Sequence, residues 1–177
     1  SVAPPRPPRW PAASARPERG CPMLLPAGPA PHVTVRPLAC RPTARADRWR
    51  CAWEITNEGP EALWLVAAWL PHGRFRAPQR AYTPPRSLPP GATIHLERVV
   101  SCEGAAGEVV ENAFLILRVD AADSRPWRVL ARLTIRFDAA RRPNQHLALL
   151  TCQPVGFAQA SDRPHRGEER GNADDRA

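Results

Sequence analysis

Apolar side chains alternate with mostly polar ones from residue 127 to residue 137. Because successive side chains of a strand point to opposite faces, this pattern predicts a strand with one face in a core. The stretch is long, free of Gly and Pro, and rich in β-branched and aromatic residues, so we predict a main strand of an antiparallel sheet. Its apolar positions are Trp127, Val129, Ala131, Leu133, Ile135 and Phe137.

Six further segments carry strand patterns, separated by turn residues at steps of roughly ten residues. Residues 62–70 are apolar throughout, which fits a central strand covered on both faces or facing an interface, or else a buried two-turn helix. Residues 146–152 fit either a last strand or a single helical turn. The segments are residues 32–38, 48–56, 62–70, 92–100, 109–119 and 146–152.

Two places depart from these patterns. Residues 77–91 contain five prolines and are expected to be irregular. Arg98 falls on an inward position of its strand, so we expect a β-bulge there. About seven short strands with turns between them nevertheless predict an all-β fold, an antiparallel β-sandwich.

The chain divides into three parts by composition. Residues 1–31 are dominated by Pro, Ala and Arg and are predicted to be disordered, residues 32–157 form the β-sandwich domain, and residues 158–177 form a disordered polar tail. Met23 is the only Met, which suggests the hypothesis that it is the true start and that residues 1–22 lie upstream of it.

Two turn motifs resemble those of bacterial immunoglobulin-like modules. In the run from Trp53 to Leu63, an apolar strand is followed by Asn57-Glu58-Gly59 and a second apolar stretch. Leu88-Pro89-Pro90-Gly91 resembles the Pro-Gly turn that enters a later strand of such modules. The resemblance covers roughly residues 32–155. It implies an immunoglobulin-like sandwich of about seven strands with a binding or spacer role.

Composition changes this picture little. The formal net charge is +8, but all 25 basic residues are Arg, and Arg, Ala and Pro richness is typical of a GC-rich genome. The high pI is therefore weak evidence for an anionic partner. No apolar run approaches the ~18 residues that would suggest a membrane span. The five Cys are scattered without a CxxC pair, so we expect reduced thiols in a cytoplasmic protein, with a single disulfide as the alternative.

The sequence contains no recognisable catalytic or metal-binding motif. A nucleophile elbow, a phosphate-binding Gly-rich loop and a zinc-protease helix are all missing, and the five His lie on different predicted elements. Calcium in sandwich loops needs several carboxylates together, and no such group is evident. We therefore predict no catalytic residues, no metal and no cofactor, and a chain that is not an enzyme.

Two groups of residues are candidates for contact with a partner. The first lies on a predicted loop or edge strand, residues 71–78, and comprises His72, Arg74 and Phe75. The second shares one side of the main strand and comprises Arg128, Arg132 and Arg136, joined by Arg118 if the two last long strands form a hairpin. Arg forks suit carboxylate and phosphate groups, although an exposed Arg face also limits aggregation.

These candidates lead to two functional hypotheses. The first is a non-enzymatic module that binds an unidentified protein through a loop or an edge strand, or that has a structural role. The second is an anion or nucleic-acid binder that uses the Arg face. Single-strand binders interleave exposed aromatic side chains with positive charge. Here most strand aromatics share the parity of the core, and only Phe114 lies on the side of Arg118, so we rank the second hypothesis lower.

Overall fold

The computed structural model describes residues 29–156, and every strand pairing in it is antiparallel. The strands follow the order β1–β3–β6–β5–β4–β7–β8–β9, with β2 added against β3. No helix long and apolar enough to cross a membrane occurs in residues 29–156. The nine strands are β1 (Val33–Pro37), β2 (Arg41–Pro42), β3 (Arg48–Asn57), β4 (Leu63–His72), β5 (Phe75–Leu88), β6 (Thr93–Cys102), β7 (Val109–Ala121), β8 (Pro126–Phe137) and β9 (Pro143–Pro154).

The alternating stretch forms β8, and the prediction of a main strand with one face in the core is confirmed. All six apolar positions of the alternation are buried, while the residues between them are half-buried or exposed. β8 pairs with β7 on one side and with β9 on the other over most of its length. Residues 146–152 belong to strand β9, so the strand alternative holds there and the helical turn does not.

The sheet curls until its two edge strands meet. β1 and β9 lie side by side without a backbone ladder between them. Instead, the Gln145 side chain donates to the carbonyl oxygens of Leu38 (2.8 Å) and Ala52 (3.1 Å). The all-β antiparallel prediction is therefore confirmed, but the sheet is nearly closed and barrel-like instead of the predicted immunoglobulin-like sandwich.

The barrel has a second weak seam between β5 and β6. These strands pair only through Phe75 with Cys102 and Arg76 with Ser101. Beyond that point the Arg98 guanidinium spans the gap from β6, donating to the carbonyl oxygens of Ala68 (2.8 Å) and Pro78 (2.5 Å). The bulge predicted at Arg98 is wrong, because β6 keeps a regular register against β3 and the side chain points inward, only 8% exposed. The two carbonyl oxygens accept hydrogen bonds from the guanidinium, which lowers the free-energy cost of burying it.

The apolar run forms the central strand β4, so the helix alternative is excluded. Leu65 pairs with Val119 and Ala67 with Arg118, which leaves Val66 as an extra residue on β4. This bulge reverses the parity of the strand. Ala67 and Ala68 are both buried as a result.

The Pro-rich residues predicted to be irregular form most of strand β5. The strand is nevertheless irregular, because its pairing with β4 has two register shifts. One of them places residues 82–85 opposite Val66 alone. β5 borders the gap to β6, where the two strands form few backbone hydrogen bonds. The N–H groups that its prolines lack would therefore have had no partner on that side. The structure also pairs Cys40 with Cys51 as a disulfide, the alternative to reduced thiols. Predictions for the tails and for Met23 fall in residues 1–28 and 157–177, outside the described residues.

Candidate functional site

Four neighbouring strands, β4, β7, β8 and β9, present a common surface on the side away from the core. We call it the outer face. Their registers place outward side chains in rows across the strands, one of which runs Trp69–Ile116–Leu130–Thr151 and the next Phe114–Arg132–Leu149. The residues of the outer face used below are Trp64, Val66, Trp69, Phe114, Ile116, Arg118, Arg128, Leu130, Arg132, Arg136 and Leu149.

An apolar band crosses the outer face. Trp69, Ile116 and Leu130 are directly opposite one another and each is half-buried, so their side chains are covered by neighbours yet remain open to solvent. Leu149 on β9 extends the band and is 48% exposed. Contiguous exposed apolar surface of this kind marks interaction sites in soluble proteins.

Arginines border this band, and none of them is neutralised within the described residues. Arg118 and Arg128 stand directly opposite each other on β7 and β8, and both are exposed. Arg132 and Arg136 follow along β8. None of these four forms an ion pair with a carboxylate of residues 29–156. Like charges opposite each other on adjacent strands disfavour the sheet, so this pair is better suited to an anionic partner than to bare solvent.

Several arginines elsewhere on the barrel are paired with carboxylates. Arg50 pairs with Glu97 (3.4 Å) and Arg74 with Glu108 (2.6 Å), and Arg36 is paired with Glu54. Other arginines, such as Arg41 and Arg80, also form no ion pair within residues 29–156, so the outer face is distinguished by the position of its arginines beside an apolar band.

The structure brings together all four predicted arginines and adds aromatic side chains that sequence reasoning missed. Trp64 faces outward ahead of the bulge at Val66, and Trp69 faces outward because the bulge reverses the parity of β4 beyond it. The adjacent Ala67 and Ala68 were the available signal, since two small residues inside an otherwise bulky apolar run mark a place where consecutive side chains share one face. Phe114 was already placed on this side.

The three candidate residues of the β4–β5 hairpin do not belong to the outer face. They have structural contacts within the hairpin, the neighbouring loop and the core. The His72 ring nitrogen Nδ1 accepts a hydrogen bond from the Arg74 amide (3.2 Å), which closes the turn. The Arg74 guanidinium is held by Glu108. Phe75 is fully buried opposite Cys102, so its ring belongs to the core and offers no surface to a partner.

A polar cleft of about 540 Å³ lies beside this hairpin and is lined by Asp47, Arg74, Cys102, Glu103, Glu108 and Arg141, among others. A hydrogen bond from the Ala105 amide, followed by one from Arg74, lowers the pKa of Glu108. Desolvation raises the pKa of Asp47, but hydrogen bonding and charge from Arg45 outweigh it and the net shift is downward.

Asp47 and Glu108 therefore stay ionised at neutral pH, and the Cys102 thiol stays protonated. Burial raises the pKa of Cys102 to about 12. No His lines the cleft, so these groups do not form an acid–base pair tuned to neutral pH. Across residues 29–156, no group of three or more His, Cys, Asp or Glu is placed to hold a metal ion.

Comparison with known proteins finds no family model that matches the chain and no curated protein with significant similarity to it.

Proposed function

We propose that this chain is a non-enzymatic binding module that recognises another protein through its outer face. The observation that carries the proposal is the apolar band of Trp69, Ile116, Leu130 and Leu149 bordered by unpaired arginines. Protein interfaces are enriched in aromatic residues and Arg and depleted in Lys. Trp and Arg are also the residues most often found as energetic hot spots.

Two expectations from the sequence bear on this proposal: the resemblance to immunoglobulin-like modules and the cytoplasmic location. The resemblance of the turns at Asn57–Gly59 and Leu88–Gly91 to bacterial immunoglobulin-like modules agrees with a binding role, although the sheet is barrel-like. A cytoplasmic location stays a prediction. The Cys40–Cys51 disulfide weighs against it, because such bonds persist mainly in oxidising compartments.

Affinity capture with matched surface variants tests the proposal. The full chain would be immobilised as wild type, Leu149→Asp and Val99→Asp, and exposed to an extract of the cells that express it. Leu149 and Val99 have nearly equal exposure, 48% and 46%, but Val99 lies on β6, which pairs with none of the outer-face strands. We expect a defined protein that is retained by wild type and by Val99→Asp and lost by Leu149→Asp. Equal retention by all three would contradict the proposal.

A second candidate function is supported by the same surface. Phe114 lies beside Arg132, and Trp64 and Trp69 are half-exposed near Arg118, an arrangement of aromatics and positive charge that single-stranded nucleic acid could use. Fluorescence anisotropy of a labelled random single strand at several salt concentrations tests it. Binding that falls steeply with salt and is lost when Arg128, Arg132 and Arg136 are all changed to Gln would favour this function over the first.

A further inference from the structure

We propose that the partner presents an acidic amphipathic helix, which lies across β4, β7 and β8 along the row of Trp69, Ile116 and Leu130. This inference rests on the proposed function, because it names the partner chemistry of the same surface. Three features of the outer face point to it: the length of the apolar row, the spacing of the arginines beside it, and their lack of carboxylate partners.

The length of the row matches two turns of a helix. Neighbouring strands lie about 4.8 Å apart, so the backbone positions of Trp69 on β4 and Leu130 on β8 are separated by roughly 10 Å. In an α-helix, residues i and i+7 are about 10.5 Å apart along the axis. Apolar side chains at i, i+3 or i+4, and i+7 of a partner helix can therefore each contact one residue of the row.

The width of the row matches the diameter of a helix. Arg128 and Arg132 both face outward on β8 and are four residues apart, or about 13 Å at the rise of a strand. A helix with its side chains is about 10–12 Å across. A helix placed over Leu130 would thus have one flank facing Arg118 and Arg128 and the other flank facing Arg132.

The positive charge of the outer face favours an acidic helix over a basic one. Arg118, Arg128 and Arg132 have no ion pair with any carboxylate in the part of the chain that the structure describes. Guanidinium groups bind carboxylates through paired, charge-assisted hydrogen bonds. A carboxylate between Arg118 and Arg128 would also relieve the repulsion of two like charges that face each other. A basic helix would add to that repulsion.

Three of the four side chains of the apolar band are aliphatic, which favours a helix over a phosphate polymer. Ile116, Leu130 and Leu149 offer no aromatic surface on which bases could stack. A nucleic acid would neutralise the arginines and leave these side chains uncovered, whereas Leu, Ile or Val side chains on a helix would bury them.

Model peptides test the inference with the full 177-residue chain. The probe is a fluorescent Leu/Glu peptide of about five helical turns, with Leu at i, i+3, i+4 and i+7 spacing and Glu elsewhere. Two control peptides carry Lys in place of Glu, or the same Leu/Glu composition in strict alternation. We expect anisotropy to show that the helical Leu/Glu peptide binds, that its affinity falls with salt, and that both control peptides bind at least roughly tenfold more weakly.

Matched variants locate the binding. Arg128→Glu and the milder Arg128→Gln should weaken binding of the Leu/Glu peptide, the first by roughly tenfold or more. Arg41→Glu is the control, because Arg41 is exposed on β2, which pairs only with β3. Circular dichroism would verify that each variant folds.

The outcomes separate this inference from the proposed function. Equal binding of the Glu and Lys peptides, or binding that is indifferent to Arg128, would overturn the acidic helix. If capture of a natural partner depends on Leu149 while the Leu/Glu peptide does not bind, the proposed function stands and this inference fails. If a labelled single strand binds through Arg128 and the peptide does not, both the acidic helix and the protein-binding function are overturned.

Discussion

Arg98 shows how a single residue can replace a missing backbone ladder. Where β5 separates from β6, the two hydrogen bonds of its buried guanidinium satisfy carbonyl oxygens on β4 and β5. Buried carbonyl groups without partners cost free energy comparable to a lost hydrogen bond. The side chain therefore stabilises the barrel by closing a seam.

Changing Arg98 to Met should destabilise the fold strongly. The buried carbonyl group of Ala68 would lose its donor, at about 1–3 kcal/mol, and the partly buried carbonyl group of Pro78 would lose its donor at a smaller cost. Urea unfolding should show this loss, while Arg86→Met should cost much less, because Arg86 donates only one exposed hydrogen bond, to the His95 carbonyl oxygen (3.1 Å). Similar losses for the two variants would mean that Arg98 does not close the seam.

The described cysteines should differ sharply in reactivity. Burial raises the pKa values of Cys102 and Cys152, and the thiolate is the form that alkylates, so both should resist iodoacetamide in the native chain and react after unfolding. Cys40 and Cys51 should stay unmodified in denaturant until a reductant is added. Peptide mapping by mass spectrometry reads all four sites. Alkylation of Cys40 in denaturant without reductant would show that the disulfide does not form.

At the scale of elements, the bulge in β4 decides which side chains reach the outer face. One extra residue, Val66, turns two consecutive alanines inward and sends Trp69 outward. Without it, the residues after Leu65 would keep the opposite parity, and the apolar band would lack its aromatic end.

Ala68 tests this geometry, because its small side chain is fully buried beside Ala67. We expect Ala68→Leu to lower the free energy of unfolding by about 1–3 kcal/mol, since a well-packed core has no room for added methylenes. Val66→Leu, on the half-exposed side, should change stability by less than about 1 kcal/mol. Denaturant titration compares the two variants. Equal effects would show that Ala68 does not face the core.

Most of the fold was predicted from strand periodicity. The predictions that failed did so for identifiable physical reasons. β8 could be predicted because one of its faces is wholly apolar and the other mostly polar, and the Arg side of the outer face followed directly. β5 could not, because prolines that usually break a ladder are harmless beside the β5–β6 seam. Trp69 was missed because a bulge changes parity without changing composition, and Trp64 was missed because a run that is apolar throughout does not show which of its side chains face outward. Barrel closure depends on a long-range contact, that of Gln145 with Leu38 and Ala52, which no local pattern reports.

For the whole molecule, the outer face is where an apolar band and a group of unpaired arginines lie side by side. In the polar cleft beside the β4–β5 hairpin, Arg74 is paired with Glu108, whereas the arginines that border the apolar band of the outer face have no carboxylate partner in residues 29–156. The proposed recognition surface is therefore a face of the sheet, and the hairpin and its cleft lie outside it.

Hydroxyl-radical footprinting of the full chain, alone and bound to its captured partner, tests this claim most directly. The account predicts that labelling of Trp69, Leu130 and Leu149 falls on binding, while labelling of Val99 on β6 stays unchanged. Protection of Val99 or of the β4–β5 hairpin, with Leu149 labelled equally in both states, would contradict it.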